Sequence, residues 1–309
     1  MDAFLAQLPQ LLINGLTLGA VYALIALGYS MVYGVLQLLN FAHGDVYMVG
    51  AYIGFGVMVS LIPADGPLLA PVLIIILMML LAMLGCGALG VVIEQFAYRP
   101  LRNSPRIAPL ISALGVSFFI QNAVQLTLTA KFRTYETEKL IAPTLGIVIA
   151  NTRLSAIRIL VIVVAIVMMV VLQVLIRRTR LGKAMRAVAI DREAAAMMGV
   201  NVDQVIVFTF FIGSALAGAA GVLTGMVFSR IWPIMGFTAG LKGFTAAVLG
   251  GIGNIPGAML GGFILGLAET FATVFVSSTY KDAIAFGVLV IVLLLRPRGL
   301  LGARIPQKV

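Results

Sequence analysis

Of the 309 residues, 61% are hydrophobic and only 10% charged, with a net charge of +10; an ordinary soluble domain carries roughly 25% charged residues. That balance excludes a globular domain folded in water, and in so apolar a chain it also sets aside nucleic-acid binding, the common reading of basic charge. With one cysteine, Cys86, and one histidine, His43, the chain has no internal disulfide and no His/Cys cluster for a transition metal. Cys86 sits in an apolar run and reads as a small buried filler.

Met1 to Pro9 lacks the basic start of a secretory signal peptide, so the first hydrophobic segment is expected to stay in the mature protein. A bilayer crossing needs about 20 mainly apolar residues. Runs of that kind lie at 10–33, 44–62, 68–94, 107–129, 156–176, 204–228, 255–276 and 280–295, and a shorter one at 238–252 either crosses or re-enters. The expected fold is all-α: one polytopic transmembrane helix bundle over 1–309 with eight or nine membrane segments, one of them short or broken.

Lysine and arginine orient such a bundle, because short cytoplasmic loops hold the basic excess. Three clusters, Arg99 to Arg106, Arg177 to Arg192, and Arg296 to Lys308, hold 13 of the 21 basic residues. Placing all three inside makes 131–155 an external loop of mixed charge with β-hairpin character, and 177–204 a cytoplasmic loop. Parity then requires 238–252 to count as a segment, and puts the N-terminus outside and the C-terminus in the cytoplasm.

Glycines at four-residue spacing let helix backbones approach closely. Gly213, Ala217, Gly221 and Gly225 form one such stripe; Gly15 with Gly19, Gly50 with Gly54, Gly257 with Gly261, and Gly262 with Gly266 form others. Two glycine-containing breaks, "NFAHGD" (Asn40 to Asp45) and "GGIGNIPG" (Gly250 to Gly257), join apolar runs near the inner face in this topology. Each is either a solvated tight turn or a cytoplasmic gate, and Asn40, His43, Asp45, Gly253, Asn254 and Pro256 are the gate candidates.

Ionisable residues inside spans are costly and face a bundle interior or a wet cavity. Glu94 reads as an interface residue satisfied near Arg99. Glu269, deeper in its span, is the better pathway candidate. Asp45 with His43, and Lys281 with Asp282, read as local pairs at interfaces. Asn14, Thr17, Tyr22, Gln121 and Asn122 are either interhelical hydrogen-bonding groups or substrate contacts. One glutamate makes a thin proton relay, and the chain has no G-x-x-x-x-G-K-[ST] phosphate loop, so ATP used for transport would be hydrolysed by another subunit. The segment "AIDREAAAMMGVNVDQ" is suited to that partner. Asp191 is placed to cap a short helix and Gly199 to stop it, giving either a plain amphipathic helix or a coupling helix seated in an ATPase groove.

The stretches "RPLRNSPRIAPLISALG", "NFAHGDVYMVGAY", "FTAAVLGGIGNIPGAMLGG", "YKDAIAFG" and "LLLRPRGLLG" resemble the signatures of branched-chain amino acid ABC transporter permeases of the LivH type, nearly end to end. "EAAAMMG", with Glu193, Ala194, Ala195 and Gly199, resembles the cytoplasmic pattern by which importer permeases contact their ATPase. The Ile and Leu-Pro further along that pattern have no counterpart around Thr209 to Phe211. The resemblance implies an inner-membrane permease without a catalytic group or cofactor of its own. It implies a second related permease, two ATPase subunits that hold ATP and Mg, and a periplasmic binding protein that delivers leucine, isoleucine or valine. A permease of the same architecture for urea or short amides is the alternative within the group. A stand-alone ion-coupled carrier or channel is the alternative from another class.

Overall fold

The structure is a computed structural model that describes residues 2–62, 69–105, 107–128, 130–149 and 152–302. Side chains of 2–6, 149, 152 and 153 lie outside this description, as do Arg106, Arg304 and Lys308 of the basic clusters. In chain order the helices are α1 (Asp2–Leu36), α2 (His43–Leu61), α3 (Pro71–Ile93), α4 (Ile107–Leu128), α5 (Ala156–Arg178), α6 (Arg180–Ile190), α7 (Arg192–Met197), α8 (Val202–Phe228), α9 (Met235–Gly250), α10 (Ile255–Phe275) and α11 (Lys281–Leu295). A π-helical turn, Glu94–Tyr98, prolongs α3. Strands β1 (Arg133–Thr134), β2 (Gly146–Ile149), β3 (Thr152–Ser155) and β4 (Arg230–Ile231) make two small antiparallel pairs, β1 with β4 and β2 with β3. The second pair is the expected hairpin.

Eight helices among the described residues are long and apolar enough to cross a membrane. The 16-residue α9 is too short for that test, yet it packs against α1, α2 and α10 inside the bundle. At 1.5 Å per residue its length is about 24 Å, close to a full crossing. The ambiguous run at 238–252 is therefore a ninth, short helix. Its C-terminal end turns straight into α10 through Gly251 and Gly253, both at positive φ (103° and 90°).

Small residues set the packing. A Cβ on Gly266 would meet the backbone of Gly15 and Gly19, and one on Gly19 would come within 2.7 Å of Phe263 Cα, so the glycine pairs of α1 and α10 are each other's partners. Gly50 and Gly54 of α2 lie on Gly218 and Val222 of α8, while Gly261 of α10 lies on Ala246 and Gly250 of α9. In lipid, where no hydrophobic force draws helices together, such backbone proximity supplies the van der Waals contact that holds them. Helix α8 is enclosed by its neighbours; α5 and α11 form the rim. Cys86 is buried on α3 with its Sγ 3.3 Å from Val46 O.

Of the two readings of the first break, the solvated turn does not describe it. After Leu36 the chain turns through Gln37 at φ 56°, and α2 begins at His43 with its ring 4.6 Å from that of Tyr29. A Cβ on Gly28 would run into the His43 imidazole. Gly28 stands eight residues before the end of α1, roughly 12 Å of helix, so residues 37–42 turn back to carry the His43 imidazole that far into the bundle. Irregular backbone at that depth requires protein partners. The Tyr98 hydroxyl lies 3.1 Å from Leu39 O and 3.2 Å from Asn40 Oδ1, and Asn40 Oδ1 accepts from Ala42 N at 3.1 Å.

Candidate functional site

A cavity of ≈ 790 Å³ opens at the bundle end opposite α6 and α7. It is enclosed by the first half of α1, the C-terminal ends of α8 and α10, and the N-terminal ends of α5, α9 and α11. Lys242, from the short ninth helix, occupies its inner wall. Its Nζ lies 2.7 Å from Glu269 Oε1 and 2.7 Å from Asp282 Oδ1, and Tyr22 donates its hydroxyl to Glu269 Oε2 at 2.8 Å. The Lys242 and Glu269 side chains are each 5% exposed, whereas Asp282 is 47% exposed. A buried charge persists only when paired and hydrogen-bonded. Glu269 meets that condition at both oxygens; Asp282 reaches the same ammonium from the cavity mouth. Asn14 holds a second cation here: its Oδ1 accepts from Arg158 and, at 3.0 Å, from Gln10 Nε2.

Of the residues singled out from sequence, the structure brings Asn14, Thr17, Tyr22 and Glu269 to this one cavity. Thr17 donates to Ile13 O at 2.8 Å, an intrahelical bond. Lys242 was missed, although a lone lysine in an apolar run carries the same signal that marked Glu269. Asp282 pairs across the bundle with Lys242 rather than locally with Lys281, because the first turn of α11 aims it at α9.

Asp45 and His43 are not an interfacial pair. Both are fully buried at the start of α2, and Ser117 of α4 donates to Asp45 Oδ2 at 2.5 Å. Gln121 donates to Ser117 at 3.2 Å and joins that group. Asn122, one residue on, points outward and satisfies itself on Phe118 O at 2.7 Å. Glycines at 236 and 240 of α9 let Gly44 and Asp45 approach; a Cβ on Gly236 would come 2.8 Å from Asp45 Oδ1.

At the opposite end, Gly253, Asn254 and Pro256 form a tight turn. Asn254 Oδ1 caps α10 at Gly257 N (3.3 Å), Pro256 sits in the first turn, and Asn254 Nδ2 donates to Leu301 O at 2.6 Å. Leu300 and Leu301 also donate their backbone N–H groups to Leu249 and Gly250 carbonyls, both at 2.9 Å. Glu94 is held by Arg102 rather than Arg99; Arg102 and Arg99 both reach Asp203 at the start of α8.

Between these ends of α5 and α8 lie α6 and α7. Asp191 Oδ1 accepts from Glu193 N (3.0 Å) and Ala194 N (3.1 Å), capping α7. Gly199, at φ 83°, closes it: Val200 N bonds Ala195 O and Gly199 N bonds Ala196 O, both at 3.0 Å, the Schellman arrangement. Ala195 faces inward, and Ile190, Glu193, Ala194, Met197 and Met198 face out. Arg192 donates to Leu36 O at 2.7 Å, which ties α7 to the start of the re-entrant segment. On the cavity side, Tyr135 threads inward from the loop after α4 and donates to Ala51 O at 2.5 Å; burial pushes its hydroxyl pKa up.

Comparison with known proteins places this architecture. The family described as "Branched-chain amino acid transport system / permease component" matches residues 11–293. The high-affinity branched-chain amino acid transport system permease protein BraD of Pseudomonas aeruginosa is 47% identical over 97% of both chains. The corresponding LivH proteins of Salmonella typhimurium and Escherichia coli are each 43% identical over 100% of this chain and 99% of theirs. In fold, the chain is similar to PsaBC from Streptococcus pneumoniae solved in complex with Fab, with a TM-score of 0.51 at 12% identity over 96% of this chain and 97% of that one. The protein, a multi-pass membrane bundle with a polar cavity at one end and a capped helical pair at the other, belongs to the branched-chain amino acid transport permease family.

Proposed function

We propose that this chain is the membrane-spanning subunit of an ATP-driven importer and supplies half of a pathway for leucine, isoleucine and valine. The observation that carries the reading is the end-to-end match to relatives named as branched-chain amino acid permeases. It works in the bacterial inner membrane with its N-terminus outside and its C-terminus in the cytoplasm. A second related permease pairs with it, two ATPase subunits holding ATP and Mg dock inside, and a periplasmic binding protein presents the amino acid at 131–155. The chain is a permease, and hydrolysis belongs to the docked subunits. ATP-dependent uptake of labelled leucine, compared with urea, in vesicles holding the whole assembly tests this; no leucine uptake sinks it.

The coupling contact is assigned to the outer face of α7 and its ends, Asp191 to Gly199. Its support is an exposed apolar surface of Ile190, Met197 and Met198 beside a helix capped at both ends. Among the described residues nothing stands within 4 Å of the place a Gly199 Cβ would take, so a side chain there meets the strain of left-handed backbone, about 1–2 kcal/mol. Gly199→Val is therefore expected to insert and accumulate normally while losing most leucine uptake, read by membrane abundance and transport in parallel. Normal uptake by this variant would remove the assignment. The gate assignment rests on the two breaks. Asn40, His43 and Asp45 stand inside the bundle, and Gly253 to Pro256 at the α9–α10 turn, with Gly34 in contact with Gly253 between them.

A further inference from the structure

We infer that the outer cavity is a zwitterion site, in which the substrate inserts into the Lys242–Asp282 ion pair: its carboxylate takes Asp282's place on Lys242, and its ammonium takes Asp282. The inference rests on the amino-acid importer reading above and names the groups that would recognise the substrate.

Three observations support it. The two carboxylates on Lys242 are unequal. Glu269 is buried, and Tyr22 fixes its second oxygen, while Asp282 is half exposed at the mouth of the cavity on the rim helix α11, most of which is not enclosed by the bundle. One partner is permanent and the other exchangeable. The exchange also conserves pairing. Lys242 keeps two carboxylates, Asp282 keeps one cation, and a molecule with no net charge adds none to the site, so no buried charge is ever left alone. Urea or an amide cannot make that exchange, since neither brings an ionic partner for the separated Lys242 and Asp282. Finally, Val21, Val227, Phe228 and Trp232 also line the cavity, alongside Arg158 and Arg230, and supply apolar surface against which an aliphatic side chain would sit. A volume of ≈ 790 Å³ falls within the range of ligand pockets, about 300–1,000 Å³.

Asp282→Asn removes the exchangeable charge without touching the buried pair. In vesicles holding the full assembly and saturating loaded binding protein, leucine moved per ATP hydrolysed is expected to fall at least fivefold in this variant and to return to within twofold with Asp282→Glu. A smaller fall, or a fall that the glutamate does not relieve, overturns the site. If wild-type vesicles themselves move no leucine, the importer reading fails instead, and the two failures are thereby distinguished. A second measurement covers the case of a variant that does not assemble. Leucine without binding protein is expected to raise the melting temperature of the purified wild-type permease–ATPase complex. The same concentrations of 4-methylpentanoate and 3-methylbutylamine, each with one of the two charges, are expected to leave it unmoved. Equal shifts from all three compounds, or none from leucine, overturn the site.

Discussion

Lys242→Met is expected to destabilise the folded bundle by about 3 kcal/mol, because it strands Glu269 as an unpaired charge in a buried site. Among the described residues, the Tyr22 hydroxyl is the one partner Glu269 keeps in that variant, on one oxygen. Neutralising both partners removes the stranded charge, so Lys242→Met with Glu269→Gln should recover most of the loss. That recovery is the coupling a double-mutant cycle isolates for contacting residues. The cycle can be read as melting temperatures of the purified complex. Equal losses in the single and double variants would mean that the site is wet enough for solvent to replace the lysine, and the pair would then hold nothing together.

Gly266→Ala should be as damaging, though it adds a single methyl group. The new Cβ would overlap backbone atoms of Gly15 and Gly19, which cannot rotate away as a side chain can. Overpacking generally costs about 1–3 kcal/mol, and a backbone-to-backbone clash along the α1–α10 contact belongs at the upper end. Gly115→Ala on α4 is the control, since among the described residues nothing lies within 4 Å of its added Cβ. Replacing a helical glycine there should be neutral or slightly favourable. Melting temperatures that fall equally in both variants would refute close packing as the reason for the glycine stripes.

Period, length and charge were sufficient to read the bundle. Each long apolar run became a helix within a few residues of the expected ends, except that α1 starts eight residues early, at Asp2, and the parity of the basic clusters called for the short helix that α9 supplies. The glycine stripes were legible as close-packing faces, but not their pairings. Nothing local to Gly15 and Gly19 says that their partner lies some 250 residues later at Gly266. The same limit hid half of the cavity. Glu269 stood out because a glutamate in "GLAETFATVF" has no neighbour to neutralise it. Lys242 is its counterpart in "GLKGFTAAVLG", a run that reads as a short membrane segment by parity alone, and its one lysine was not weighed as Glu269 was. Asp282 was misread because Lys281 precedes it, and adjacent residues on a helix point different ways. The first break was left between two readings for a related reason. The six residues "NFAHGD" between apolar runs have the length of a surface turn, and only the tertiary partners of Asn40 and His43 reveal that the segment folds back inward.

That inward fold has a consequence for biosynthesis. Helices enter the membrane in the order they are made, yet the Leu39 carbonyl and the Asn40 side chain meet the Tyr98 hydroxyl only when Tyr98 has been synthesised. The start of α2 meets its close-packed surface only with Gly236 and Gly240. Until α9 emerges, the polar start of α2 has Tyr29 and Ser117 beside it but lacks the wall that Gly236 and Gly240 supply. The final geometry of the first hairpin is therefore set last, and a chain truncated before residue 235 should present that unfinished wedge to the membrane's quality-control proteases.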